Sequence, residues 1–183
     1  ALDETELIAT LVELVRTPSV TGSDAEADLQ HTVARWFEEA ELEVDLWALD
    51  LDDLRADPEF PGTEAPRLDG HGLVGTAPGE GPPGLVLQGH VDVVPVGDVA
   101  NWHGGDPFSA RIEGRPLSAT GVRDTTAGRA VHLAVARALH RSGVRTERRL
   151  ALHSVVSEED GGLGAFATLR RGHRGEVAVI TEP

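Results

Sequence analysis

Two residues in the stretch GLVLQGHVDVVP (84–95) have types and spacing that can do chemistry together: His90 and Asp92, an H-x-D at the end of an apolar run. A neutral imidazole offers a nitrogen to a metal, and a carboxylate two residues on can orient the ring and raise its basicity. Alone the tripeptide has little specificity. It gains meaning from the carboxylates that follow: Asp124, the adjacent pair Glu158 and Glu159, and Glu182. One imidazole among several carboxylates is a costly cluster without a cation, because like charges raise each other's pKa values. A divalent cation removes that cost, and imidazole with hard oxygen donors suits Zn2+, and also Co2+ or Mn2+. The chain has no cysteine, so thiolate ligands and disulfides are excluded.

The elements that must position these residues show in the periodicity. Residues 3–16 carry a broad apolar face of helical spacing, Leu7, Ile8, Leu11, Val12, Leu14 and Val15, which Thr17-Pro18 ends. Ser23 or Asp24 caps a second predicted helix running to about Ala40, with Leu29, Val33, Trp36 and Phe37 inward. Leu42 to Leu49 alternates as a strand, and the proline- and acid-rich residues 50–70 read as a long loop. Strands are expected at 72–76, 84–90, 149–156 and 176–181. Helices are expected at 126–141, with Val131, Leu133, Val135, Ala138 and Leu139 apolar, and at 161–171; residues 96–121 read as loop. Strands alternating with helices predict an α/β three-layer sandwich, a mostly parallel sheet with helices on both faces. In that arrangement His90, Asp124, Glu158, Glu159 and Glu182 each fall just after a strand or in a strand-to-helix loop. Open α/β sheets bind ligands there, so residues far apart in sequence can share one site.

Composition narrows the partners. A formal net charge of −15 repels nucleic acid and anionic membranes, so neither is an expected partner. Every basic residue is arginine, which rules out a lysine Schiff base or a P-loop lysine. No apolar run approaches the length of about eighteen residues that a membrane span needs. No basic segment followed by an apolar stretch opens the chain as a signal peptide would, and a cytoplasmic location is expected.

The blocks GHVDVVP, NWHGGDPFSARIEG, GVRDTTAG, SEEDGGLGA and VITEP, in that order, resemble peptidase family M20. That superfamily takes in acetylornithine deacetylase, succinyl-diaminopimelate desuccinylase, the aminoacylases and glutamate carboxypeptidases. The likeness runs over about residues 70–183, and residues 1–50 share only the general pattern. It implies a zinc-peptidase-like fold and a hydrolase that cleaves the amide bond of N-acyl amino acids or small peptides. It also implies two metal ions, Zn2+ with Co2+ or Mn2+ as substitutes. On this resemblance Asp124 would bridge both ions, His90 and Glu182 would complete one, and Glu159 would bind the other. Asp92 would support His90, and Glu158 would be the general base that takes a proton from a metal-activated water and passes it to the leaving amine. Trp102 and Phe108 fall where the family packs the loop beside its site.

Two departures stand out. Family members carry G-R-G before the bridging aspartate and M-K-G-G or similar after it; here Thr120 and Thr126 occupy the arginine and lysine positions. The family's polypeptide also continues past the VITEP block, with a lid and dimerisation domain and a last histidine ligand. Residues 1–183 are therefore expected to be an incomplete catalytic metal-binding domain, inactive alone, from a protein whose intact form can dimerise. A different class of function, a folded scaffold or binding module that keeps the architecture without the chemistry, is the competing reading. Loss of metal binding in Asp124→Ala separates the two.

Overall fold

The first helices begin where the sequence supplies caps. In the computed structural model, which describes residues 2–112, the backbone of 117–118, 126–144 and 146–181, Asp3 accepts from the Glu6 amide and opens α1 (Glu4–Arg16). Ser23 accepts from the Glu26 amide and opens α2 (Asp24–Glu39); a side-chain oxygen at this position satisfies a donor the helix leaves over. β1 (Glu43–Ala48) follows. The expected long loop after it holds a short helix, α3 (Leu51–Ala56), capped by Asp50 and anchored by buried Leu54. Its six residues are too few for a periodicity to stand out. β2 (His71–Thr76) and β3 (Pro83–His90) come next. Residues 96–112 are loop with two single 3-10 turns, ending in the two-residue strand β4 (Arg111–Ile112), which pairs with β5 (Leu117–Ser118). Then follow α4 (Ala127–Ser142), β6 (Arg149–Val155), α5 (Leu163–Arg170) and β7 (Val177–Ile180).

The main sheet has the order β1-β2-β6-β3-β7. β6, β3 and β7 run parallel, whereas β1 and β2 join antiparallel, so the sheet is mixed. From β3 the chain crosses through α4 to β6 on one side, and from β6 through α5 to β7 on the other. Two right-handed crossovers in opposite directions put their helices on opposite faces. Leu73, Leu152 and Ser154 face α1, α2 and α4; Val74 and His153 face α5 and the loop after it. The expected α/β sandwich is thus present.

One expectation about α4 is corrected. Val131 is exposed, while Arg129, His132, Leu133 and Ala136 are buried. These four follow the i, i+3, i+4, i+7 spacing of one helix face. The buried stripe admits an arginine and a histidine because both find polar partners inside.

Candidate functional site

The parallel strands β6, β3 and β7 are neighbours in the sheet, and each ends at or just before a candidate residue in the sequence. His90 is the last residue of β3, and Glu158 and Glu159 come just after β6. Glu182 comes two positions after β7, but it and Asp124 lie outside the described residues. Thr126 is described and buried, whereas the rest of the altered segment before it, residues 119–125, is not described.

His90 is 2% exposed. Its Nδ1 lies 2.8 Å from the main-chain carbonyl of Asp92. A carbonyl only accepts, so Nδ1 carries a proton, and Nε2 is the nitrogen that the neutral ring offers to a ligand. That Nε2 is 3.7 Å from Glu158 Oε2, on a side chain that is half exposed. The Asp92 carboxylate approaches His90 Nδ1 only to 3.4 Å. The expected support of the ring by Asp92 therefore comes chiefly through its backbone.

The Asp92 carboxylate holds the loop after β6. Oδ1 accepts from the Glu158 amide at 3.2 Å, and Oδ2 accepts from the Glu159 amide at 3.1 Å and from the Thr21 hydroxyl at 2.9 Å. Burial pushes the Asp92 carboxyl up. The contact with His90 and the two amides outweighs that, leaving it below its ordinary value and ionised. The segment between α1 and α2 closes over it: Ser19 donates to the Val91 carbonyl at 2.7 Å, and Val20 bridges Val93.

Sequence reasoning missed the second buried carboxylate, Glu26, which is fully buried. Arg67 donates to it through two nitrogens, at 2.5 and 3.1 Å, and the amides of Gly22 and Ser157 donate at 3.0 Å each. A signal was available. Ser23-x-x-Glu26 is a capping-box pattern, whose glutamate reaches back over the start of the helix. Here it reaches the Gly22 amide and has an oxygen left for a distant loop. Among the described residues no group of three or more His, Asp or Glu stands close enough to hold a metal ion.

With this geometry in place, the comparisons are direct. The sequence profile of peptidase family M20/M25/M40 matches residues 86–183. Succinyl-diaminopimelate desuccinylase of Xanthobacter autotrophicus is 31% identical over 96% of this chain and 43% of its own length. N-formyl-4-amino-5-aminomethyl-2-methylpyrimidine deformylase of Bacillus subtilis is 26% identical over 97% of this chain and 38% of its own. The chain belongs to the M20/M25/M40 peptidase family. The fold agrees: the dipeptidase Dug1p of Saccharomyces cerevisiae superposes with a TM-score of 0.77 at 17% identity, over 98% of this chain and 38% of Dug1p. Human carnosine dipeptidase 1 gives 0.73 at 15% identity, over 98% and 38%. The chain thus spans about two fifths of the relatives it matches. No helix among the described residues is long and apolar enough to cross a membrane.

Proposed function

We propose that residues 1–183 are the first part of the catalytic domain of a metal-dependent amidohydrolase of the deacylase or carboxypeptidase type. Its substrates are N-acyl amino acids or small peptides. The observation that carries this reading is the Asp92 carboxylate, which accepts the amides of both Glu158 and Glu159 while its own backbone fixes the tautomer of His90. A buried aspartate whose carbonyl orients an imidazole and whose carboxylate holds the amides of two adjacent glutamates is an arrangement for chemistry, since a solvated loop needs none of it.

His90, buried and with Nδ1 turned to a carbonyl, offers Nε2 as a nitrogen donor of the kind that Zn2+, Co2+ or Mn2+ takes together with carboxylate oxygen. His90, Asp124, Glu159 and Glu182 would hold the ions. When bound, they would lower the pKa of a water and polarise the amide carbonyl. Glu158 is half exposed and reaches the face of the site open to substrate, as a group that takes a proton from water and returns it to an amine must. Asp92 keeps the backbone of Glu158 and Glu159 in register with His90. Relatives named for removing succinyl and formyl groups support an acyl substituent, and structures named as dipeptidases support a small peptide. The remaining domain, any dimer contact and a cytoplasmic location belong to the same proposal.

The test is native mass spectrometry of the protein as its source makes it, with and without zinc, followed by hydrolysis of a panel of N-acyl amino acids and dipeptides. Two metals per chain and hydrolysis are expected. Glu158→Gln should lower kcat by about 10² to 10⁴-fold while keeping the metal. No metal and no hydrolysis would turn the reading to a scaffold or binding module.

A further inference from the structure

Three consecutive amides after β6, those of Ser157, Glu158 and Glu159, all donate to buried carboxylates rather than to carbonyls or solvent. Ser157 is fully buried and has a φ of 61°, which lets neighbouring amides in a tight turn face inward together. Such inward amides need acceptors, because an unpaired buried N–H is destabilising. Asp92 takes the amides of Glu158 and Glu159, and Glu26 takes that of Ser157 from another element, the start of α2.

We propose that the Glu26–Arg67 pair is a positioning device for the candidate catalytic loop, fixing the Ser157 turn so that Glu158 and Glu159 meet the end of β3. It rests on the reading of those two glutamates as site residues. Glu26 uses both oxygens fully, with Oε1 on the Ser157 amide and Arg67 Nη2, and Oε2 on the Gly22 amide and Arg67 Nη1. Burial pushes the Glu26 carboxyl up from its ordinary value against the pull of Arg67 and the Ser157 amide. Arg67 therefore opposes the protonation that burial favours at the acceptor holding the turn. The pair also ties in the loop before β2. Asp160 accepts from the amides of Glu64 and Ala65, and its other oxygen accepts from the Ser157 hydroxyl. One shift at Glu26 would thus reach Glu158 through a single residue.

The experiment separates positioning from stability. Replacing a buried ion pair by apolar residues of similar size is often neutral for stability. The variant Glu26→Leu with Arg67→Met removes both charges together but leaves the Ser157 and Gly22 amides without an acceptor, so it should stay folded and melt below the parent. In the protein as its source makes it, zinc affinity should fall about 10 to 100-fold. With N-acetyl amino acids, kcat should fall about 100-fold with KM within about threefold. Amide hydrogen exchange at residues 157–159 should quicken while the sheet is unchanged. Glu26→Gln with Arg67→Met, which stays neutral and restores one oxygen that can accept the Ser157 amide, should recover part of the zinc affinity. Parental zinc affinity and parental exchange in the apolar variant overturn the proposal. If that variant does not fold, Glu26→Asp replaces it, shortening the reach to Ser157 while keeping the pair; parental values there overturn the proposal equally. Zinc binding by the parent without hydrolysis would sink the hydrolase reading alone.

Discussion

Arg129 lays its alkyl stem across Gly89: a Cβ at residue 89 would come 2.6 Å from Arg129 Cγ. The guanidinium donates to the Ser154 hydroxyl at 3.2 Å, and Ser154 is the β6 residue in register with Gly89. A buried cation thus clamps β3 to β6 one residue before His90. Burial lowers its pKa to about 9, with the charge of Asp92 acting the other way, so it stays protonated at neutral pH. Gly89→Ala must displace the middle of a held side chain, not a free end. It should cost about 1–3 kcal/mol of stability, the usual range for overpacking. Urea unfolding measures it. Combining Gly89→Ala with Arg129→Ala should cost less than the sum of the two single changes, because the collision disappears. Strictly additive costs would show that the two residues do not press on each other.

Asp92→Asn tests the loop anchor. Asparagine keeps one acceptor oxygen and puts a donor where the amide of Glu158 or Glu159 already donates. The expected loss is about 2–3 kcal/mol, since a buried hydrogen bond to a charged acceptor becomes a clash of donors. Thr21→Val removes only the hydroxyl that reaches Asp92 Oδ2 and should cost about 1 kcal/mol. Equal midpoints of unfolding for wild type and Asp92→Asn would remove the anchor from the account.

These contacts mark the limit of what the sequence discloses. The helices at Glu4–Arg16 and Asp24–Glu39 were legible because apolar spacing and a capping residue agree. The strand ending at His90 was legible from the apolar run Leu85-Val86-Leu87 before it, and the strand expected over 149–156 ends one residue earlier, at Val155. The proximity of His90 to Glu158 followed from placing both at carboxyl ends of parallel strands. The Glu26–Arg67 pair was not legible. Its partners are 41 residues apart, and nothing local in a proline-rich loop marks Arg67 as buried. Nor did α4 disclose its inner face, because an arginine and a histidine occupy positions that periodicity assigns to apolar residues. The antiparallel entry of β1 and β2 was equally hidden, since alternation fixes which face a strand buries but not its direction.

Acid should destabilise the fold well above the carboxylate range. His132 and His153 are both buried, and burial is the main cause lowering each to about 4, helped by Arg129 for His132 and by His173 for His153. Unfolded, each titrates near 6.5. Between those values the unfolded chain binds the protons first, so stability is fully present above about pH 6.5 and falls as pH drops toward 4. The loss should be on the order of 3 kcal/mol per histidine across that window. Urea midpoints at pH 7.5 and pH 5 measure it, and His132→Gln should remove roughly half the slope. A flat profile over this range would mean that neither imidazole is held neutral by the fold.

β7 should govern how the 183-residue chain behaves in solution. It is the edge of the main sheet, pairs only with β3 among the described strands, and exposes Val177, Val179 and Ile180 at 57, 42 and 55%. Its segment Val177–Ile180 contains no charge and no proline. An exposed apolar edge with unpaired backbone groups invites strand addition from another chain, which charges on an edge ordinarily prevent. The chain by itself should therefore associate with rising concentration despite a net charge of −15. Val177→Lys, at the most exposed of these positions, should shift sedimentation toward the 19.4 kDa monomer with little change in melting temperature. Unchanged association in that variant would place the contact elsewhere on the surface.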